Sequence, residues 1–266
     1  MNRVQQYYDD NALDEWQRLE RHRTEFGVTM LALEEFLPPP PLKIADVGGG
    51  PGRYAIALAK KGYQITLVDL ALENLALAQD KAQEAGVILE AVVHANALDL
   101  SELEPVAYHA VLLLGPLYHL LTEEERKQAI QHALRILQPG GLLAAAFITR
   151  FAQFRWAARN DPLWLPHDRA YTEQFVETGT HRVPSLFTDA YFAHPDEVVP
   201  LMESAGLATI RLQGCEGAVS HLDERINQLE GDNWDYWVRL NYRIGQEPSM
   251  YGASDHLLYV GRKCDG

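Results

Sequence analysis

Cysteine is nearly absent: the chain has only Cys215 and Cys264, with no CxxC pair. That excludes a zinc ribbon or a disulfide scaffold, and two reduced thiols are the simpler reading. Long hydrophobic runs are missing too. The longest, Val111–Leu114 and Leu142–Ile148, are far too short to span a bilayer, so no membrane association is expected. Basic charge is scarce, with 23 Lys and Arg against 37 Asp and Glu, a net charge of −14. A duplex nucleic-acid surface needs a basic stripe to release counterions, so no nucleic-acid partner is expected. A small anionic substrate stays compatible, because one local arginine cluster could serve it. There is no GxSxG, no cysteine in a nucleophile setting and no grouping of histidines with acids at ligand spacing, so no metal is implied. Met1–Asp10 is polar and acidic and reads as neither a signal nor a transit segment. A soluble, cytoplasmic monomer or homodimer is the expectation.

What is present is a globular balance: 47% hydrophobic and 23% charged residues, enough for one large α/β domain with insertions. Asn11–Phe36 reads as helical, and the four prolines from Pro38 to Pro41 stop it and form a stiff connector. Residues 1–41 are therefore expected to be a helical lid separable from the rest. Short apolar runs then alternate with helical stretches. Strands are expected at Leu42–Val47, Gln64–Asp69, Ile88–His94, Ala110–Gly115 and Leu142–Ile148. Helices are expected at Tyr54–Lys61, Leu72–Ala85 and Thr122–Leu137, the last opened by a Thr122–Glu125 capping box and ended by Pro139-Gly140-Gly141. Continuous apolar strands separated by helices mean a parallel sheet covered on both faces, with ligands at the loops after the strands. Residues 42–150 form this core, 151–195 a cap insertion rich in aromatics, and 196–266 complete the core around a second helical insertion.

Asp46-Val47-Gly48-Gly49-Gly50-Pro51-Gly52 lies between a strand and a helix. Glycine lets the backbone approach a ligand closely and turn into a helix. The spacing is GxGxG. A dinucleotide site wants GxGxxG, whose last glycine falls at Arg53, and there is no GK[ST] for a triphosphate. Asp69 ends the next strand, where a carboxylate reaches the two hydroxyls of an adenosine ribose; the plain alternative is a helix cap.

With Asn96-Ala97, the block Leu113–Leu120 and Leu137–Gly141 before a strand, these motifs resemble class I S-adenosylmethionine-dependent methyltransferases. Within them the chain is similar to the small-molecule, type 11-like enzymes. The resemblance implies a Rossmann-like sheet of seven strands, mostly parallel, with the last strand antiparallel. It implies a cofactor site of Asp46, Gly48, Gly49, Gly50, Gly52, Asp69, Leu70, Asn96, Ala97, Leu114 and Gly115. Asn96 departs from the acidic residue common at its position, but its side-chain oxygen still accepts a hydrogen bond from adenine.

Tyr118 and His119 follow the fourth strand beside the expected donor. His119, with an ordinary pKa near neutrality, is the candidate general base; the plain alternative is a loop anchor. Tyr8, Trp16 and Arg21 from the N-terminal segment, and Arg150, Trp156 and Tyr171 from the cap, are expected to surround a small-molecule acceptor. The implied reaction is methyl transfer to an oxygen, nitrogen or sulfur, releasing S-adenosylhomocysteine. Two rivals are a non-catalytic S-adenosylmethionine-binding or regulatory protein and a nicotinamide-dependent oxidoreductase. The missing GxGxxG counts against the second.

Overall fold

The computed structural model describes residues 3–182, 187–220 and 222–264. The chain opens with α1 (Arg3–Asp10), α2 (Ala12–Arg21) and α3 (Arg23–Phe36). It continues with β1 (Lys43–Val47), α4 (Arg53–Lys60), β2 (Gln64–Asp69), α5 (Leu72–Glu84), β3 (Ala91–His94) and β4 (Tyr108–Leu113). After α6 (Glu123–Ile136) and β5 (Leu137–Ile148) come α7 (Arg150–Asn160), α8 (Trp164–His167) and α9 (Arg169–Thr178), then a small pair, β6 (Thr180–His181) and β7 (Ala190–Tyr191). The chain closes with α10 (Pro195–Ser204), β8 (Leu207–Gly214), α11 (Asp223–Ile226), α12 (Gly231–Ile244) and β9 (His256–Lys263).

The main sheet has seven strands in the order β3-β2-β1-β4-β5-β9-β8. Strands β1 to β5 pair in parallel, and β9 runs antiparallel to both β5 and β8. Side chains alternate between faces as the pleat requires. Ile44, Ala110, Leu112, Ala144 and Leu258 point to one layer; Ala45, Val111, Leu113, Ala145 and Leu257 point to the other. The first layer holds α3, α4, α5 and Val238 of α12, and the second holds α6 and α10.

The four prolines do not separate a lid from a core. Val28, Ala32 and Leu33 of α3 are 0% exposed and pack in one cluster with Ile44, Leu58 and Val238. Of the three N-terminal helices, α1 and α2 have no buried residues, so the detachable part ends near Arg21. The single helix expected over Asn11–Phe36 is two, α2 and α3, broken at His22, and a further helix, α1, precedes it.

Other boundaries shift for local reasons. The fourth strand ends at Leu113, not Gly115, because Gly115 packs against the Gly48 carbonyl instead of extending the ladder. The third begins at Ala91; Ile88 is 90% exposed and has no ladder partner. Pro139-Gly140-Gly141 lies inside β5, where a register shift between Tyr108 and Ala110 absorbs it. The Thr122–Glu125 capping box is present in both directions. In the cap, residues 151–195 build three helices and the β6–β7 pair instead of irregular chain; residues 183–186 lie outside the described set.

Candidate active site

Adjacent strands β1 and β4 carry their loops to one edge of the sheet, where they interlock. A Cβ on Gly115 would sit 2.7 Å from the Gly48 carbonyl, and one on Gly48 would strike the Pro116 ring. Gly48, Gly50 and Gly52 all have positive φ, the region that side chains disfavour. Beside Gly50 the nearest atom a Cβ would meet is Asn74 Nδ2 at 3.8 Å, so the loop leaves open space there.

Two carboxylates stand under this loop. Asp69 Oδ2 accepts from the Gly50 amide at 2.8 Å, and Oδ1 accepts from the Ala71 amide at 2.9 Å and from Asn74 Nδ2 at 3.3 Å. It is not the N-cap of α5, which is Ala71. Asp46 is fully buried, and neither of its oxygens has a hydrogen bond of good geometry among the described residues. Burial, with the nearby charge of Asp69, pushes its carboxyl up to about 7, and the Ala55 amide only partly relieves this. An unpartnered buried carboxylate is costly and asks for a cationic ligand.

Both carboxylates, the glycines at 48, 49 and 50, Leu70, Asn96, Ala97, Leu114 and Gly115 line one cavity of about 350 Å³. Gly52 does not line it; it turns the loop into α4, with a Cβ position 3.1 Å from Ala78. Asn96 Oδ1 accepts from the Leu98 amide at 2.9 Å, so part of its acceptor capacity is used locally.

The opposite wall comes from the N-terminal helices and the loop after β4. Tyr8, Tyr118 and His119 line it, together with Glu15, Arg18, Tyr54, Arg182 and Asp189. The His119 Nδ1–H donates to the Asp189 carbonyl at 3.1 Å, and Nε2 accepts from the Tyr8 hydroxyl at 2.8 Å. A carbonyl only accepts, so the tautomer is fixed. Burial lowers the His119 pKa to about 4, well under the neutral value expected from the sequence. Arg18 is held by Glu15 through two contacts of 2.8 and 2.6 Å. The Arg53 guanidinium donates to the carbonyls of Leu19 and His22, tying α2 to the helix that follows the glycine loop.

Five expected acceptor residues lie elsewhere. Arg150 is buried, with Nη1 donating to the Val176 and Glu177 carbonyls and Nη2 to Glu197 Oε1; it joins α9 to α10. The Tyr171 hydroxyl is hydrogen-bonded to His181 Nδ1 at 2.6 Å inside the cap, and Trp156 meets Trp164 edge-on. Trp16 lies against Lys81 of α5, and Arg21 is exposed. Their aromatic and cationic character serves packing in the cap and on α5. Glu15, Tyr54, Arg182 and Asp189 had no sequence signal, since nothing in a one-dimensional pattern brings them to the sheet edge. Among the described residues no group of three or more His, Cys, Asp or Glu is placed to hold a metal, and no helix is long and apolar enough to cross a membrane.

Comparison with known proteins decides the family. Residues 44–141 match the model of a methyltransferase domain. The chain is 30% identical over 257 residues to the tRNA 5-carboxymethoxyuridine methyltransferase of Escherichia coli O157:H7, covering 93% of this chain and 86% of that protein. The chain belongs to the class I S-adenosylmethionine-dependent methyltransferases. It is also 28% identical to the ubiquinone biosynthesis O-methyltransferase of Paracidovorax citrulli, over 65% of this chain and 66% of that enzyme. The methyltransferase shares its fold with an S-adenosylmethionine-dependent methyltransferase of Methanosarcina mazei, with a TM-score of 0.61 at 20% identity over 88% and 98% of the two chains. The N-methyltransferase NodS of Bradyrhizobium japonicum, bound to S-adenosylhomocysteine, gives a TM-score of 0.59 at 13% identity over 99% and 100%.

Proposed function

We propose that this enzyme methylates an oxygen, nitrogen or sulfur atom of a small molecule held between the glycine loop and α1–α2. The observation that carries the reading is the single cavity in which the glycine loop, Asp46 and Asp69 face Tyr8 and His119. S-adenosylmethionine, when bound, supplies an electrophilic methyl group on a sulfonium. Asp46 would meet its cationic methionine part, and the glycines at 48, 49 and 50, with Gly115, would let the backbone approach it, while Gly52 only turns the loop into α4. Asp69 Oδ2, which accepts one bond in the structure, keeps capacity for a ribose hydroxyl. Leu70, Asn96, Ala97 and Leu114 would frame the adenine. Tyr8 and Tyr118 exclude water from the reacting atoms, and His119 takes a proton where the acceptor has one to lose. No metal is needed in this scheme.

A second reading has its own support. The Escherichia coli relative that aligns across 93% of the chain is named for a transfer RNA nucleoside, so an acceptor base presented by a tRNA loop competes with a free small molecule. The net charge of −14 favours the small molecule, because backbone phosphates add affinity only to a basic surface.

Methyl-labelled S-adenosylmethionine, offered with a low-mass metabolite extract and separately with total transfer RNA, distinguishes the two. Label is expected in the low-mass products. Label confined to RNA would replace the first reading with the second.

A further inference from the structure

We propose that the Tyr8 hydroxyl, and not the His119 ring, meets the acceptor, taking the proton of a hydroxyl group while passing its own to His119. This rests on the methyl-transfer reading above and adds the class of acceptor atom, an alcohol or phenol oxygen.

Both His119 nitrogens are engaged. Nδ1 carries a proton directed at the Asp189 carbonyl, and the Nε2 lone pair receives the Tyr8 O–H at 2.8 Å. An acceptor entering the cavity therefore finds no free ring nitrogen. It does find the Tyr8 oxygen, which lines the same cavity and has unused lone pairs. Tyr8 is packed edge-on against both His119 and Tyr7, which fixes the hydroxyl's direction.

The proton path balances. The acceptor oxygen forms a bond to the methyl carbon while the carbon–sulfur bond breaks. The acceptor's proton moves to Tyr8 Oη, and the Tyr8 proton moves to His119 Nε2. The positive charge that began on sulfur ends on the imidazolium, which later returns its proton to solvent. A methylated oxygen still holding its proton is a far stronger acid than an imidazolium, so the relay runs downhill for a hydroxyl. An alkylammonium is a weaker acid than an imidazolium and would keep its proton, so an amine gains nothing from the relay. The low His119 pKa, about 4 through burial, sharpens that discrimination.

Three segments distant in sequence build this path: α1, the loop after β4, and the turn before β7. Arg3 of α1 pairs with the Asp189 side chain at 3.1 Å, so the same helix that brings Tyr8 also braces the residue that orients His119. The charged and titratable groups around the ring are Glu15 and Arg18 from α2, Tyr118 beside it, and Asp189. Glu125 and Arg182 line the same cavity, and Phe187 adds an apolar ring.

Tyr8→Phe keeps the ring and removes the hydroxyl. In the S-adenosylhomocysteine complex, imidazole NMR should show His119 in the Nδ1–H form, titrating at higher pH in the variant, because a bond that favoured the neutral ring is lost. S-adenosylhomocysteine affinity should change by less than about twofold, whereas kcat for methyl transfer to phenol, the probe acceptor, should fall about a hundredfold with KM little changed. A purely packing role for Tyr8 would instead raise KM and weaken S-adenosylhomocysteine binding. An unmoved His119 titration or an equal kcat on phenol overturns the proposal. The titration uses no acceptor, so it judges the Tyr8–His119 pair even where label from the earlier experiment goes to RNA and the small-molecule reading fails.

Discussion

Asp46, one residue before the end of β1, and Asp69, at the end of the adjacent β2, are both buried, yet only Asp69 is well hydrogen-bonded. The Asp46 carboxyl, held up at about 7 by burial, binds a proton that the unfolded chain releases near pH 4. Between those values the folded state holds more protons than the unfolded one. Stability without ligand therefore falls as pH rises through that window and stays low above it. Asp46→Asn removes the burden and should stabilise the ligand-free protein at pH 8 by up to about 4 kcal/mol, with little effect at pH 4. Urea melts at the two pH values measure this. Equal stabilisation at both would mean that the carboxylate is not strained.

The same residue is expected to set the pH dependence of cofactor binding. A cationic ligand prefers the carboxylate, so affinity for S-adenosylmethionine should rise as pH passes through about 7, with proton release on binding at lower pH. In Asp46→Asn both the pH dependence and the release should vanish. Calorimetry in two buffers of different ionisation enthalpy reads the proton count directly, and no released proton in the wild type would dissociate Asp46 from the cofactor.

Asp69 has a different task, since it already clamps Gly50 to the end of β2. Asp69→Ala should weaken S-adenosylhomocysteine binding by about 1.5–3 kcal/mol, the scale of hydrogen bonds to a charged group. Unchanged affinity in a folded variant would leave Asp69 as a loop clamp only.

Truncation separates lid from core. Deleting residues 1–21 should leave a cooperatively folding protein that retains cofactor poorly, because α1 and α2 bury no residue fully but form one wall of the cavity. Deleting residues 1–37 should abolish cooperative unfolding, because it strips Val28, Ala32 and Leu33 from the core. Even one such Leu→Ala change costs about 2–5 kcal/mol. Thermal melts followed by circular dichroism compare the two. A cooperative transition in the longer deletion would restore the boundary at the prolines.

The legible parts of this molecule are those written locally. The glycine loop, Asp69 at a strand end and the Thr122–Glu125 box each need only neighbours within a few positions. The strand order beyond β5 and the role of α3 depend on packing partners far along the chain, as with Gly27 of α3, where a Cβ would meet Val238 at 2.9 Å. Aromatic and basic residues misled for the same reason. Arg150, Trp156 and Tyr171 look like pocket residues by type, but their partners, the Val176 carbonyl, Trp164 and His181, lie within the cap. Tyr8 and His119 are 111 positions apart, and no periodicity announces their contact.

His119 itself gives the last prediction. Burial, which disfavours the imidazolium, holds its pKa near 4; the Asp189 carbonyl and the charge of Glu15 oppose that shift, and Arg18 reinforces it. The ring is thus neutral and able to take a proton across the whole physiological range. The rate of methyl transfer to a hydroxyl should stay flat from pH 8 down to pH 5 and fall only as pH drops through about 4, not near the ordinary histidine value. His119→Ala should lower kcat by about a hundredfold, with little change in cofactor affinity, and should lose that acidic limb. An acceptor that is already anionic needs only alignment, and there the same substitution should cost a few-fold at most. A pH profile of kcat in both proteins decides the point: an acidic limb surviving unchanged in His119→Ala rules the ring out as the proton's destination.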